Sequence, residues 1–160
     1  MTEIAFYHLE KSPLEGVLPK LLEKTLAAGK RALVLAGSET RVEALAGLLW
    51  TYEQGSWLAH GTKQDGAPED QPVWLAADDD DENNNPNGAQ FLFLTDGAES
   101  GRVGGFERCF ELFDGRDGAA LDAARARWKA YADAGHDLTY WRQTASGGCE
   151  KQEDRKKGES

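Results

Sequence analysis

The chain has 160 residues, 40% of them hydrophobic and 29% charged, with a formal net charge of −10 at pH 7. That length suits one domain, which at this size buries roughly 70% of the surface its unfolded form exposes. So acidic a body repels phosphate backbones, which argues against direct nucleic-acid binding, and no apolar run approaches the roughly 20 residues of a membrane helix.

Residues 4–9, Ile-Ala-Phe-Tyr-His-Leu, predict a first strand, short and rich in β-formers. Leu14, Val17, Leu18, Leu21, Leu22 and Leu26 then recur at helical spacing, with Gly29 as the stop. Residues 31–36 form a near-continuous apolar run after that helix, the mark of a parallel strand covered on both faces. Ser38 can cap a second helix whose apolar positions are Val42, Leu45, Leu48 and Leu49. Strand, helix, strand and helix in this order open a doubly wound α/β fold.

A short segment at residues 57–60 and a polar loop over 61–70 follow. Residues 72–77 and 90–95 predict two further strands. Between them, residues 78–88 run Asp, Glu, Asn, Pro and Gly, a loop expected to bury nothing. Its four adjacent aspartates lack the spaced pattern and distal Glu of a calcium loop. Residues 107–114 alternate like a strand, and 115–118 turn the chain. Residues 119–134 are the clearest helix, alanine-rich and stopped by Gly135, and 137–142 are a last extended piece. The domain is thus expected over 1–143, with 144–160 a polar tail expected to be disordered.

Charge is unevenly spread along this frame. Residues 1–115 hold 9 basic and 20 acidic side chains, whereas 116–143 hold five basic against four acidic. A local basic strip on an acidic protein suits a small acidic ligand.

The chemistry expected of an α/β enzyme is missing from the pattern. The turn after the first strand, Glu10 to Pro13, has no glycine for a phosphate cradle. The turn after the second, Gly37-Ser38-Glu39, adds an acid that repels phosphate. Ser100 stands one place late for a nucleophile elbow, and His8, His60 and His136 fall in no metal or catalytic motif. Cys109 reads as a buried small apolar residue and Cys149 as an exposed thiol, too few for a disulfide framework. No cofactor or metal is expected. Residues 1–13 lack a basic flank before an apolar core, so no signal peptide is expected and the predicted location is cytoplasmic.

The strongest local feature is residues 124–131, Ala-Arg-Ala-Arg-Trp-Lys-Ala-Tyr. On a helix Arg125 and Lys129 stand one above the other with Trp128 beside them. One reading is a solvated face whose Trp128 anchors the core. The other is a pocket for an acidic peptide ending in an aromatic residue and a free carboxylate.

With that segment in place, the chain resembles the chi subunit of bacterial DNA polymerase III, a clamp-loader accessory subunit. The resemblance runs through residues 6–9, 29–34, 44–50, 57–61, 71–75, 124–131 and 135–138, and its most specific piece is the Arg-x-x-Trp-Lys-x-Tyr segment. It implies a single three-layer Rossmann-like domain with a mostly parallel sheet and no nucleotide-binding loops. It implies a non-catalytic adaptor joining the clamp loader, through the psi subunit, to the acidic C-terminal tail of single-stranded DNA-binding protein. The family's tail site matches Arg125, Trp128 and Lys129, and its psi-facing anchors match Trp50 and Trp57. Leu121 stands where the family has another basic residue, which implies a weaker grip on the tail. Residues 78–88 and 144–160 lie outside the shared pattern. The rival readings are an adaptor for a DNA-repair helicase through the same tryptophan surface, and a nucleotide-dependent enzyme on the same fold.

Overall fold

The computed structural model describes residues 2–9, 14–51, 60–62, 70–77, 87–95, 103–143 and 149–155; for 14–16, 50–51, 143 and 149–155 the description extends to the backbone only. The elements are β1 (Glu3–Leu9), α1 (Leu14–Ala27), β2 (Ala32–Ala36), α2 (Glu39–Thr51), β3 (Val73–Ala77), β4 (Phe91–Leu94), β5 (Arg108–Asp114), α3 (Gly118–Asp133), β6 (Asp137–Gln143) and β7 (Cys149–Arg155). Each strand and helix expected from the pattern is present at nearly the expected bounds. Ser38 caps α2 as expected, its Oγ accepting from the Arg41 N–H at 3.2 Å.

The strands form one sheet in the order β3-β2-β4-β5-β1-β6-β7. The first six are parallel, and β7 runs antiparallel to β6. β1 therefore lies between β5 and β6, which come from the far end of the chain. It is paired along its length with both, as at Phe6, opposite Glu111 on one side and Tyr140 on the other.

Strand alternation divides the apolar side chains between two faces. Ala5, Val34, Phe93, Phe110 and Leu112 point toward α1 and α2, meeting Leu18, Leu22, Val42, Leu45 and Leu49. Ile4, Phe6, Leu33, Leu92, Cys109 and Phe113 point the other way, where α3 supplies Leu121, Ala124, Trp128 and Tyr131. The result is a three-layer α/β domain. Arg108, at the entry to β5, spreads its guanidinium over the Phe91 and Phe110 rings, 5.6 and 4.8 Å from their centroids.

Two sequence expectations are corrected. The tail was expected to be disordered, yet residues 149–155 form β7. Strand pairing uses backbone groups, and β6 would otherwise leave its outer row of donors and acceptors unpaired, so the added strand needs no apolar sequence. The loop 78–88 was expected to bury nothing, yet Asn87 is buried. Its amide donates to the carbonyls of Ala32 and Gln71 at 3.0 and 3.1 Å, and its own carbonyl accepts from Arg31 Nη1 at 3.0 Å. Residues 78–86, with the four aspartates, lie outside the described residues.

The turn from β5 into α3 is set by a close approach. His8, buried at the end of β1, bonds Tyr140 Oη through Nδ1 at 2.6 Å, and its ring lies where a Cβ on Gly115 would fall, 1.8 Å from Nε2. Gly115→Ala must displace the ring or the turn, and overpacking of this kind costs about 1–3 kcal/mol. Urea unfolding of Gly115→Ala against wild type measures it, and an unchanged midpoint would show that the turn yields freely.

Candidate functional site

The helix α3 starts where Asp117 turns its carboxylate onto the N–H groups of Ala119 and Ala120, at 3.0 and 3.4 Å. Alanine carries it through sixteen residues, and Gly135, at φ 89°, ends it. It begins at the carboxyl end of β5 and ends at the amino end of β6, so it runs antiparallel to the strands beneath it.

Its inner face is unusual in holding a charge. Arg127 Nε bonds Glu111 Oε2 at 2.9 Å, with side-chain exposures of 10% and 1%, and Tyr131 Oη donates to the same oxygen at 3.0 Å. Glu111 lies on β5, so this flank of α3 is tied to the β5 side of the sheet. Burial, followed by the nearby Glu111 charge, pushes the Tyr131 hydroxyl well above its ordinary range. Burial, again followed by Glu111, raises the Cys109 thiol, which stays protonated at neutral pH.

The opposite flank faces β6. Trp128 packs edge-on against Phe6 and Tyr140, with ring centroids 5.2 and 5.9 Å away. It is partly buried, a wall between the core and solvent. With about 100° of turn per residue, Arg125 and Lys129 follow Trp128 around the helix toward water. Both are exposed. Arg125 has 70% of its side chain exposed and an Asp122 carboxylate 4.0 Å away that is 80% exposed. Such a pair contributes little, and an incoming carboxylate competes with it. The geometry offers two solvated cations above one aromatic wall, suited to gripping a carboxylate beside an aromatic ring.

The fold thus brings Arg125, Trp128 and Lys129 together on one flank. Leu121 joins them, partly buried on the same side. Trp50 stands in the last turn of α2, where the backbone alone is described, and Trp57 lies outside the described residues. The Glu111–Arg127–Tyr131 cluster was missed by sequence reasoning. Its signal was an acid at an inward position of a strand that both helical layers cover, and an arginine two residues from the outward Arg125. Among the described residues no three His, Cys, Asp or Glu side chains converge as a metal site, and no helix is long and apolar enough to cross a membrane.

Residues 1–139 match the family model described as DNA polymerase III chi subunit, HolC. A curated protein of Rickettsia prowazekii (strain Madrid E), named "Probable DNA polymerase III subunit chi", is 26% identical over 103 residues, 64% of this chain. The match spans 60% of that relative's length.

Two measurements test the buried cluster. Removing one member leaves an uncompensated charge, so Glu111→Ala or Arg127→Ala should each cost about 3–5 kcal/mol in urea unfolding. The double change Glu111→Ala with Arg127→Ala should cost less than the sum of the two; a double mutant as unstable as that sum would show no coupling. Because the Tyr131 proton is held more tightly when folded than unfolded, its contribution is complete below about pH 10 and is lost as pH rises from there. Tyr131→Phe should flatten that alkaline fall in stability, and an unchanged profile would assign the fall to other groups.

Proposed function

The chain belongs to the DNA polymerase III chi subunit family, and from this we propose a non-catalytic adaptor that links the clamp loader, through the psi subunit, to the acidic C-terminal tail of single-stranded DNA-binding protein. The observation that carries the tail contact is the exposed pair Arg125 and Lys129 standing over Trp128. Arg125 grips carboxylates of the tail, Lys129 adds a second charge, and Trp128 forms the wall for the terminal aromatic ring. The psi contact is assigned to Trp50 and Trp57, on the resemblance alone, tryptophan being among the residues that dominate interfaces.

Each contact alone is weak on this reading. Attachment at the fork comes from many such tails acting at a high effective concentration on one tethered complex. Charge steers the tail, so added salt weakens it.

Calorimetric titration with a peptide copying the acidic tail tests the assignment. Saturable binding that falls with salt is expected, with Arg125→Ala weaker by about 1.5–3 kcal/mol, the range for hydrogen bonds to charged groups. A folded wild-type protein that binds no peptide at low salt would remove the tail contact from the proposal.

A further inference from the structure

Three residues of β6 share the sheet face beneath α3. Alternation places Leu138, Tyr140 and Arg142 together, and the first two pack into the core on the α3 side. Tyr140 lies directly under Trp128 and is fixed there by its bond to His8. Arg142 pairs in register with His8 at the carboxyl end of the sheet and is exposed.

Distances along the two elements bring Arg142 level with the first half of α3. From Tyr140 it lies about 6–7 Å further toward the carboxyl end of the strands. Going back along the antiparallel helix from Trp128, Arg125 lies about 4–5 Å in the same direction and Leu121 about 10 Å. Leu121, Arg125 and Trp128 are on the flank that faces β6. Arg142 therefore rises from the floor opposite the stretch of helix between Leu121 and Arg125, where the helix itself supplies an apolar residue.

We propose that Arg142 is a third cation of the acidic-peptide groove, which lies between α3 and β6 with Arg125 and Lys129 on its helical wall, Trp128 and Tyr140 as its aromatic lining, and Arg142 at its carboxyl-end rim. The occupant is an acidic peptide with a free terminal carboxylate. Charge selects it, since three cations border an aromatic surface on a chain whose net charge is −10. Arg142 is exposed, so water already competes with any pair it makes in the free chain, and a multiply charged peptide displaces that pair at little cost. Asp122, 4.0 Å from Arg125, is an acid on this flank that the peptide must outcompete. This inference rests on the tail-binding reading of Arg125 and Trp128.

The test is fluorescence anisotropy of a labelled acidic peptide ending in phenylalanine, titrated with the full chain and with Arg125→Ala, Arg142→Ala, Arg142→Gln and Lys24→Ala. Lys24 is exposed in the last turn of α1, on the opposite face of the sheet, and serves as the control. Both Arg142 variants should bind roughly three- to tenfold more weakly, with a shallower dependence on salt than wild type, and Lys24→Ala should match wild type. The two Arg142 variants should keep the wild-type melting temperature. A loss of affinity matched by a lowered melting temperature and an unchanged salt slope would assign Arg142 a structural role and overturn the inference. Wild-type affinity in Arg142→Ala beside weak binding in Arg125→Ala would also overturn it, and would leave the tail-binding reading standing. Absence of binding by the wild-type chain would sink both.

Discussion

The setting of α3 depends on one buried charge. Glu111 is almost fully enclosed, and its Oε2 receives both the Arg127 guanidinium and the Tyr131 hydroxyl. The fully buried apolar residue of the helix is the small Ala124, and contact of that kind tolerates rotation. A charge-assisted bond of 2.9 Å does not. Turning the helix by one residue would withdraw the Arg127 guanidinium from a carboxylate in the core, at a cost far above that of lost apolar contact. With Arg127 held inward toward β5, Trp128 has to face β6, and Arg125 and Lys129 have to face water. Two arginines two residues apart on one helix thus have opposite duties, one holding the helix and the other meeting a ligand.

The sheet carries this arrangement outward. β1 is clamped between β5 and β6, so the acid that anchors α3 and the tyrosine that floors its outer flank sit on either side of Phe6. Phe6 in turn touches Phe113, Trp128 and Tyr131 at centroid distances of 6.5, 5.2 and 6.0 Å, a cluster that transmits any shift of the helix to the strands. β7 adds a further strand beside β6, extending the sheet past the helix and giving the groove an edge that is paired. On the other face Tyr7 and Trp141 stack at 5.9 Å, so β6 is braced by aromatic contact on both sides.

The local elements were legible because each is written in a local code: apolar runs for covered strands, leucines at helical spacing for α1, serine and glycine at the ends. Strand order was not. Nothing in residues 4–9 announces that their neighbours lie beyond residue 107, because pairing of that range is decided by which faces the helices leave to be covered. β7 escaped for the opposite reason, since a polar segment paired through its backbone has no apolar signature. Asn87 was hidden inside a tract of like residues, where composition predicts solvent and one amide among them closes a core edge. The outward trio Arg125, Trp128 and Lys129 could be read from helical spacing. The inward Arg127 could not, because its partner lies on another element and a buried pair looks in sequence like two surface charges.

The most direct measurement is a nuclear magnetic resonance map of the chain titrated with the acidic tail peptide, following backbone amides and the Trp128 indole. Shifts are expected on Leu121, Arg125, Trp128 and Lys129 of α3 and on Tyr140 and Arg142 of β6, with Val42 and Leu45 on the opposite layer unmoved. Shifts centred on α1 and α2, or spread evenly over both faces of the sheet, would contradict a peptide site between α3 and β6.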